Sequence, residues 1–163
     1  MEYKNISTMP VISEYKPQMT DGELKDFALQ LRRDIIEITR FSGTKSSHVG
    51  GELSAAEIIA VLYGTALNLR PEEPEWDGRD VFVMSKGHCS AVLYAAMAWR
   101  GCFGRERLWN EFNVAGGYLQ EHCNMELPGV EAPTGSLGMG LANGCGYAWA
   151  AKHKNQPDRR VYV

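Results

Sequence analysis

Asp80-Val81-Phe82-Val83-Met84-Ser85-Lys86-Gly87-His88 is the stretch on which the fold of this 163-residue chain turns. Asp80 to Met84 is a short apolar run with two valines and a phenylalanine, the pattern of a buried strand. Ser85 to His88 then turns it directly into the apolar run Ser90 to Trp99, read as a helix closed by Gly101. In parallel α/β folds, ligands sit at such carboxyl ends of strands. Free amides at a helix start, a glycine allowing close approach, and Lys86 or His88 would make an anion site. The same spacing equally suits a tight turn with a solvated Lys86.

Towards the N-terminus, Thr20 and Glu23 form a capping box ahead of Leu24, Phe27, Ala28, Leu31, Ile35 and Ile38, one stripe at helical spacing. Gly43 is the expected stop of that helix. A loop from Thr44 to Gly51 follows, then a second capping box, Ser54 with Glu57. The run Ala55 to Tyr63 is almost wholly apolar, which predicts a helix buried on most of its surface. Residues 1–19, polar and carrying Pro10 and Pro17, read as an arm preceding one domain over 20–163.

Towards the C-terminus, Pro71 to Gly78 is an acidic connection before the strand, and Arg105 to Phe112 reads as a short helix after it. Five of the 17 glycines then fall between Gly135 and Gly146. They lead into a helix from about Leu137 to Lys152, with small residues at Gly140 and Gly144 that suit either close packing or a phosphate at the helix start. The chain ends on Arg159-Arg160-Val161-Tyr162-Val163, which reads as a strand just begun and a chain cut short. The order helix, strand, helix, helix, strand predicts an α/β fold, an open parallel sheet with helices on both faces, here incomplete.

Composition bounds the function. Apolar residues are 44%, charged 23% and aromatic 10%, as in a globular protein. Net charge is −3, so no electrostatic footprint for nucleic acid or anionic lipid exists. The apolar stretches, Ile58 to Tyr63 among them, are too short to span a bilayer, and the first 20 residues hold no apolar block of a secretory signal. Cys89, Cys102, Cys123 and Cys145 form no CxxC, and reduced thiols in the cytoplasm are expected. His88-Cys89 and His122-Cys123 lack zinc-ligand spacing, so no metal ligand is assigned. His48, His88 and His122 each sit in a predicted loop, and together they point to a polar pocket able to move protons near neutral pH. His153, at the charged end of the last helix, reads as solvated.

Three motifs carry a resemblance to the transketolases. Ser46-Ser47-His48-Val49-Gly50-Gly51-Glu52-Leu53-Ser54 resembles their Ser-Gly-His-Pro-Gly-Gly-x-Leu-Ser. Asp80 to His88 is similar to Arg-Asp-x-Phe-Val-Leu-Ser-Lys-Gly-His. Pro128 to Gly140 resembles Pro-Gly-Val-Glu-x-x-Thr-Gly-Ser-Leu-Gly-Gln-Gly, with Ser136 as in the N-terminal subunits of split transketolases. Val49, Ser47, Glu121 and Cys123 depart from the pattern, standing where the family has Pro, Gly, Gly and Pro.

The resemblance implies a thiamine diphosphate-binding domain and transfer of a two-carbon ketol unit from a ketose phosphate to an aldose phosphate. It implies that His88 donates to the diphosphate and that Gly135, Ser136 and Leu137 line the cofactor through their backbone. His48 and His122 are implied to hydrogen-bond the donor sugar's hydroxyl and carbonyl oxygens. The family's magnesium ligands, in a Gly-Asp-Gly turn and an Asn beyond it, are expected past Val163. The glutamate that activates the aminopyrimidine belongs to the C-terminal half or subunit, within a homodimer or heterotetramer, so this chain alone is expected to be inactive. Two alternatives are a fragment of a deoxyxylulose-phosphate synthase-type enzyme and a non-catalytic domain that binds a ligand or partner.

Overall fold

A computed structural model of the chain describes residues 16–42 and 46–163. The predicted stop at Gly43, the start of the Thr44–Gly51 loop and most of the expected arm lie outside the described residues. Helix α1 spans Asp21–Phe41, and its capping box forms as predicted, with Thr20 and Glu23 satisfying each other's orphan amides. Its stripe of Phe27, Ala28, Leu31, Ile35 and Ile38 is buried against the rest of the core. Each fully buried large side chain of that stripe contributes roughly 1.5–3 kcal/mol relative to exposure.

Helix α2 spans Val49–Val61 and continues into a π-helical turn, Leu62–Ala66. The expected capping box of Ser54 and Glu57 does not form, because the backbone is already helical five residues earlier. Ser54 instead donates back to the Gly51 carbonyl, and Glu57 pairs with Arg32 of α1. The helix is also less buried than its composition predicts: Ile58 is 63% exposed and Val61 45%. Only the face carrying Ala55, Ala56, Ile59 and Ala60 meets the core.

Strand β1 (Val81–Phe82) pairs in parallel with β2 (Val161–Tyr162), Val81 opposite Val161 and Phe82 opposite Tyr162. Side chains alternate across this ribbon. Phe82 and Tyr162 pack towards the core that holds α1, α2 and helix α3 (Ser90–Trp99). Val81, Val83 and Val161 pack on the other face, against Ala132 and Tyr147. Tyr147 belongs to helix α5 (Met139–His153), so helices cover both faces of a small parallel sheet. Helix α3 is buried at all ten positions and forms the centre of the domain. Helix α4 (Arg107–Glu111) closes the end of that core through Leu108.

Asp34 organises the polar heart of the core. Its carboxylate, 1% exposed, accepts from Trp99 Nε1 at 2.7 Å, from Gln30 Nε2 at 3.0 Å and from both terminal nitrogens of Arg105 at 3.0 Å. The Arg105 guanidinium also lies 3.8 Å above the Trp99 ring.

Candidate functional site

Helix starts mark the site. Helix α1 begins with a complete capping box. The starts of α2, α3 and α5 carry no side-chain cap: their N-cap residues are His48, Cys89 and Gly138. Uncapped amides at the positive end of a helix dipole attract anions.

Close backbone packing draws these starts together. A Cβ on Gly51 of α2 would stand 3.1 Å from both His88 Nε2 and Cys89 Sγ. A Cβ on Gly87 would land on the Thr134 carbonyl, and one on Gly140 of α5 would lie 2.6 Å from Ser85 Cα. The Cys123 amide donates to the Gly87 carbonyl at 3.4 Å, which ties the His122 loop to the same turn. As a result the His48 ring lies 5.1 Å from that of His88 and 6.0 Å from that of His122, edge to face in both cases. Partial burial, followed by the nearby His48, Lys86 and His122, holds the His88 imidazole below its usual pKa.

Lys86 is not the solvated lysine of the tight-turn reading. Its ammonium donates to Ser54 Oγ at 3.1 Å and to the Gly51 carbonyl at 3.4 Å, fastening the turn to α2. Gly135, Ser136 and Leu137 are exposed and follow directly on the buried Thr134, which donates to the Met84 carbonyl at the end of β1. Gly135 and Gly138 face open space where a Cβ would be. Gly140 and Gly144 are buried, so the packing expected of them is real. His153 stands apart, exposed and stacked on Trp149.

Other motif residues hold the frame. Arg79 and Glu131 form a two-pronged ion pair at 2.8 and 3.0 Å. Asp80 accepts from the Asn68 and Arg160 amides at 3.0 and 2.8 Å, fixing where both strands begin. Sequence reasoning misses two carboxylates near the histidines. Glu121 Oε1 lies 3.6 Å from His48 Nε2, and Glu52 is fully buried beneath the loop, accepting from Ser47 Oγ at 2.6 Å. A glutamate among the apolar residues of α2 was the available signal, since glutamate is rarely buried without a partner.

The sequence model of one family, described as transketolase, thiamine diphosphate binding domain, matches residues 29–161. The chain belongs to the transketolase family. It is 38% identical over 132 residues to an apulose-4-phosphate transketolase subunit of Phocaeicola vulgatus, covering 81% of this chain and 46% of that protein. It is 41% identical over 112 residues to a 6-deoxy-6-sulfo-D-fructose transketolase subunit of a Clostridium species, covering 68% of this chain and 40% of that one. In structure it is similar to the transketolase of Campylobacter jejuni, with a TM-score of 0.76 and 35% identity over 83% of this chain and 21% of that one. The chain thus spans under half the length of these relatives.

Thiamine diphosphate is the cofactor of this domain, and the residues gathered at the helix starts fit it. Uncapped amides, an imidazole and open space beside Gly135 and Gly138 suit a diphosphate and the main-chain contacts beyond it. Among the described residues, no group of three or more His, Cys, Asp or Glu side chains is placed to hold a metal ion. No helix is long and apolar enough to cross a membrane among them either.

Proposed function

We propose that this chain forms the diphosphate-side part of a thiamine diphosphate-dependent transketolase. The whole enzyme moves a two-carbon ketol unit from a ketose phosphate to an aldose phosphate. The observation that carries this reading is the convergence of three loop histidines on uncapped helix starts. His88, beside the start of α3, donates to the diphosphate, and the neighbouring amides share its charge. The main chain of Gly135, Ser136 and Leu137 lines the cofactor's middle.

His48 and His122 are both exposed towards the same space and hydrogen-bond the hydroxyl and carbonyl oxygens of the donor sugar. When bound, the cofactor supplies the nucleophilic carbon and the electron sink for breaking the sugar's C–C bond. The histidines orient the substrate and hold or move its hydroxyl protons. Magnesium accompanies the diphosphate through ligands contributed from outside the described residues.

A C-terminal half or subunit completes the site, in a homodimer or heterotetramer. The exposed apolar side chains of Leu137, Met139, Leu141 and Trp149 at and along α5 support such a partner. The four free thiols agree with the cytoplasm as its setting. The test is ketol transfer between sugar phosphates by the full-length protein with its partner half, thiamine diphosphate and magnesium. Transfer that depends on His48 is expected. Pyruvate consumption without transfer, or cofactor binding with no transfer to any aldose phosphate, would overturn the reading.

A further inference from the structure

Glu52 has an unusual position for a carboxylate. It is 0% exposed, one turn into α2, directly behind the loop that carries His48. Oε1 accepts from Ser47 Oγ at 2.6 Å, while Oε2 is buried without a hydrogen-bond partner. The Ala91 N–H, in the open first turn of α3, is the backbone donor that favours the charged carboxyl. A buried carboxyl with one oxygen unsatisfied costs more than an apolar residue of the same size. Packing alone therefore does not account for it.

Its contacts run to the pocket. The Glu52 amide donates to the His48 carbonyl at 3.1 Å, while its side chain holds the hydroxyl of Ser47. One residue thus grips both members of the Ser47-His48 pair from below. On the solvent side Glu121 Oε1 faces His48 Nε2 at 3.6 Å. The His48 ring makes no cap bond to its own helix, so its direction depends on the loop backbone and on Glu121. Ser47 and Glu121 both stand where the family pattern has glycine, and Glu52 stands at its variable position.

We propose that Glu52 is a positioning residue for His48. Through Ser47 it fixes the loop that aims the imidazole at the space shared with His88 and His122, and Glu121 steadies the ring from the other side. The catalytic part of this inference rests on the proposed role of His48. The groups facing the Glu52 carboxyl are His48 and Glu121 from the loops and Cys89 from the start of α3.

Ser47→Ala, Glu52→Gln, Glu52→Leu and the Ser47→Ala/Glu52→Leu double variant, made in the full-length enzyme with its partner half, test it. Glu52→Gln keeps an acceptor for Ser47 and should retain kcat within about threefold, because the bond that sets the loop survives. Ser47→Ala and Glu52→Leu should each lower kcat on the order of tenfold to a hundredfold, as small misplacements of reacting groups do. The double variant should lose no more than either single one, since both remove the same link. The dissociation constant for thiamine diphosphate should stay within about twofold, because neither residue touches the His88 contact.

In parallel, the histidine side-chain resonances of Ser47→Ala should show His48 displaced and His153 unmoved. That readout needs no turnover, so it tests the positioning even if ketol transfer is absent. Independent losses that add in the double variant would overturn the proposal. So would a Ser47→Ala variant whose kcat and His48 resonance match the unaltered protein, and this variant decides the matter should Glu52→Leu fail to fold.

Discussion

The rings of His48 and His88 meet edge to face with their centroids 5.1 Å apart, one ahead of α2 and the other ahead of α3. Partial burial first, and then the nearby His48, Lys86 and His122, hold His88 below its ordinary pKa of 6.5. A diphosphate placed against His88 reverses that balance, because an anion favours the protonated ring. Binding of thiamine diphosphate near pH 6.5 should therefore take up protons. Calorimetric titration in buffers of different ionisation enthalpy measures the uptake, and His88→Asn should abolish most of it. Proton release, or uptake unchanged in His88→Asn, would contradict a diphosphate at His88.

Glu52 gives a pH effect on stability. Burial raises its carboxyl above the ordinary 4.5, so the folded chain binds this proton more tightly than the unfolded chain. Its contribution to stability is full below 4.5 and is lost as pH rises through the raised folded value. Glu52→Gln cannot lose that proton. Urea unfolding across pH should show the variant gaining on the parent sequence as pH rises above 4.5, and a constant difference would contradict the burial argument.

Asp34 should be the most sensitive polar position of the core. Asp34→Ala strands Trp99 Nε1 and the Arg105 guanidinium at once. Breaking a buried ion pair by removing one partner costs about 3–5 kcal/mol. Urea denaturation should register a loss of that size, against roughly 0–1 kcal/mol for removing the exposed pairing of Arg70 with Glu73.

Two glycines offer a matched comparison. Gly87→Ala pushes a methyl group into the Thr134 carbonyl and should destabilise the fold by about 1–3 kcal/mol. Gly146 lies inside α5 with nothing within 4 Å of the place a methyl group would take, so Gly146→Ala should stabilise by roughly 1 kcal/mol through helix propensity. Thermal unfolding of the two variants checks both signs.

Much of this was legible in local chemistry. The Thr20–Glu23 box and the stripe from Phe27 to Ile38 specify α1, and the run from Val81 through Gly87 to Trp99 specifies β1, its turn and α3. Local rules misplaced the start of α2. Ser54 and Glu57 have the right spacing for a cap, but tertiary packing of Gly51 against His88 and Cys89 extends the helix back to Val49. The exposure of Ile58 and Val61 was likewise hidden, since an apolar run does not reveal which of its faces finds a neighbour. The histidine cluster depends on contacts such as Cys123 to Gly87, between residues far apart in the chain, which spacing does not encode. Motif resemblance reached the same three histidines, and only the fold shows Glu52 and Glu121 beside His48.

The most direct test of the account is the affinity of the full-length protein, with its partner half and magnesium, for thiamine diphosphate when His88 is changed to Asn. His153→Asn serves as the control, because that ring is stacked on Trp149 at the far end of α5. The account predicts that His88→Asn weakens binding by about tenfold or more, the loss expected of a charge-assisted hydrogen bond, and that His153→Asn changes nothing. Equal affinity in the His88→Asn protein and the unaltered protein would contradict it.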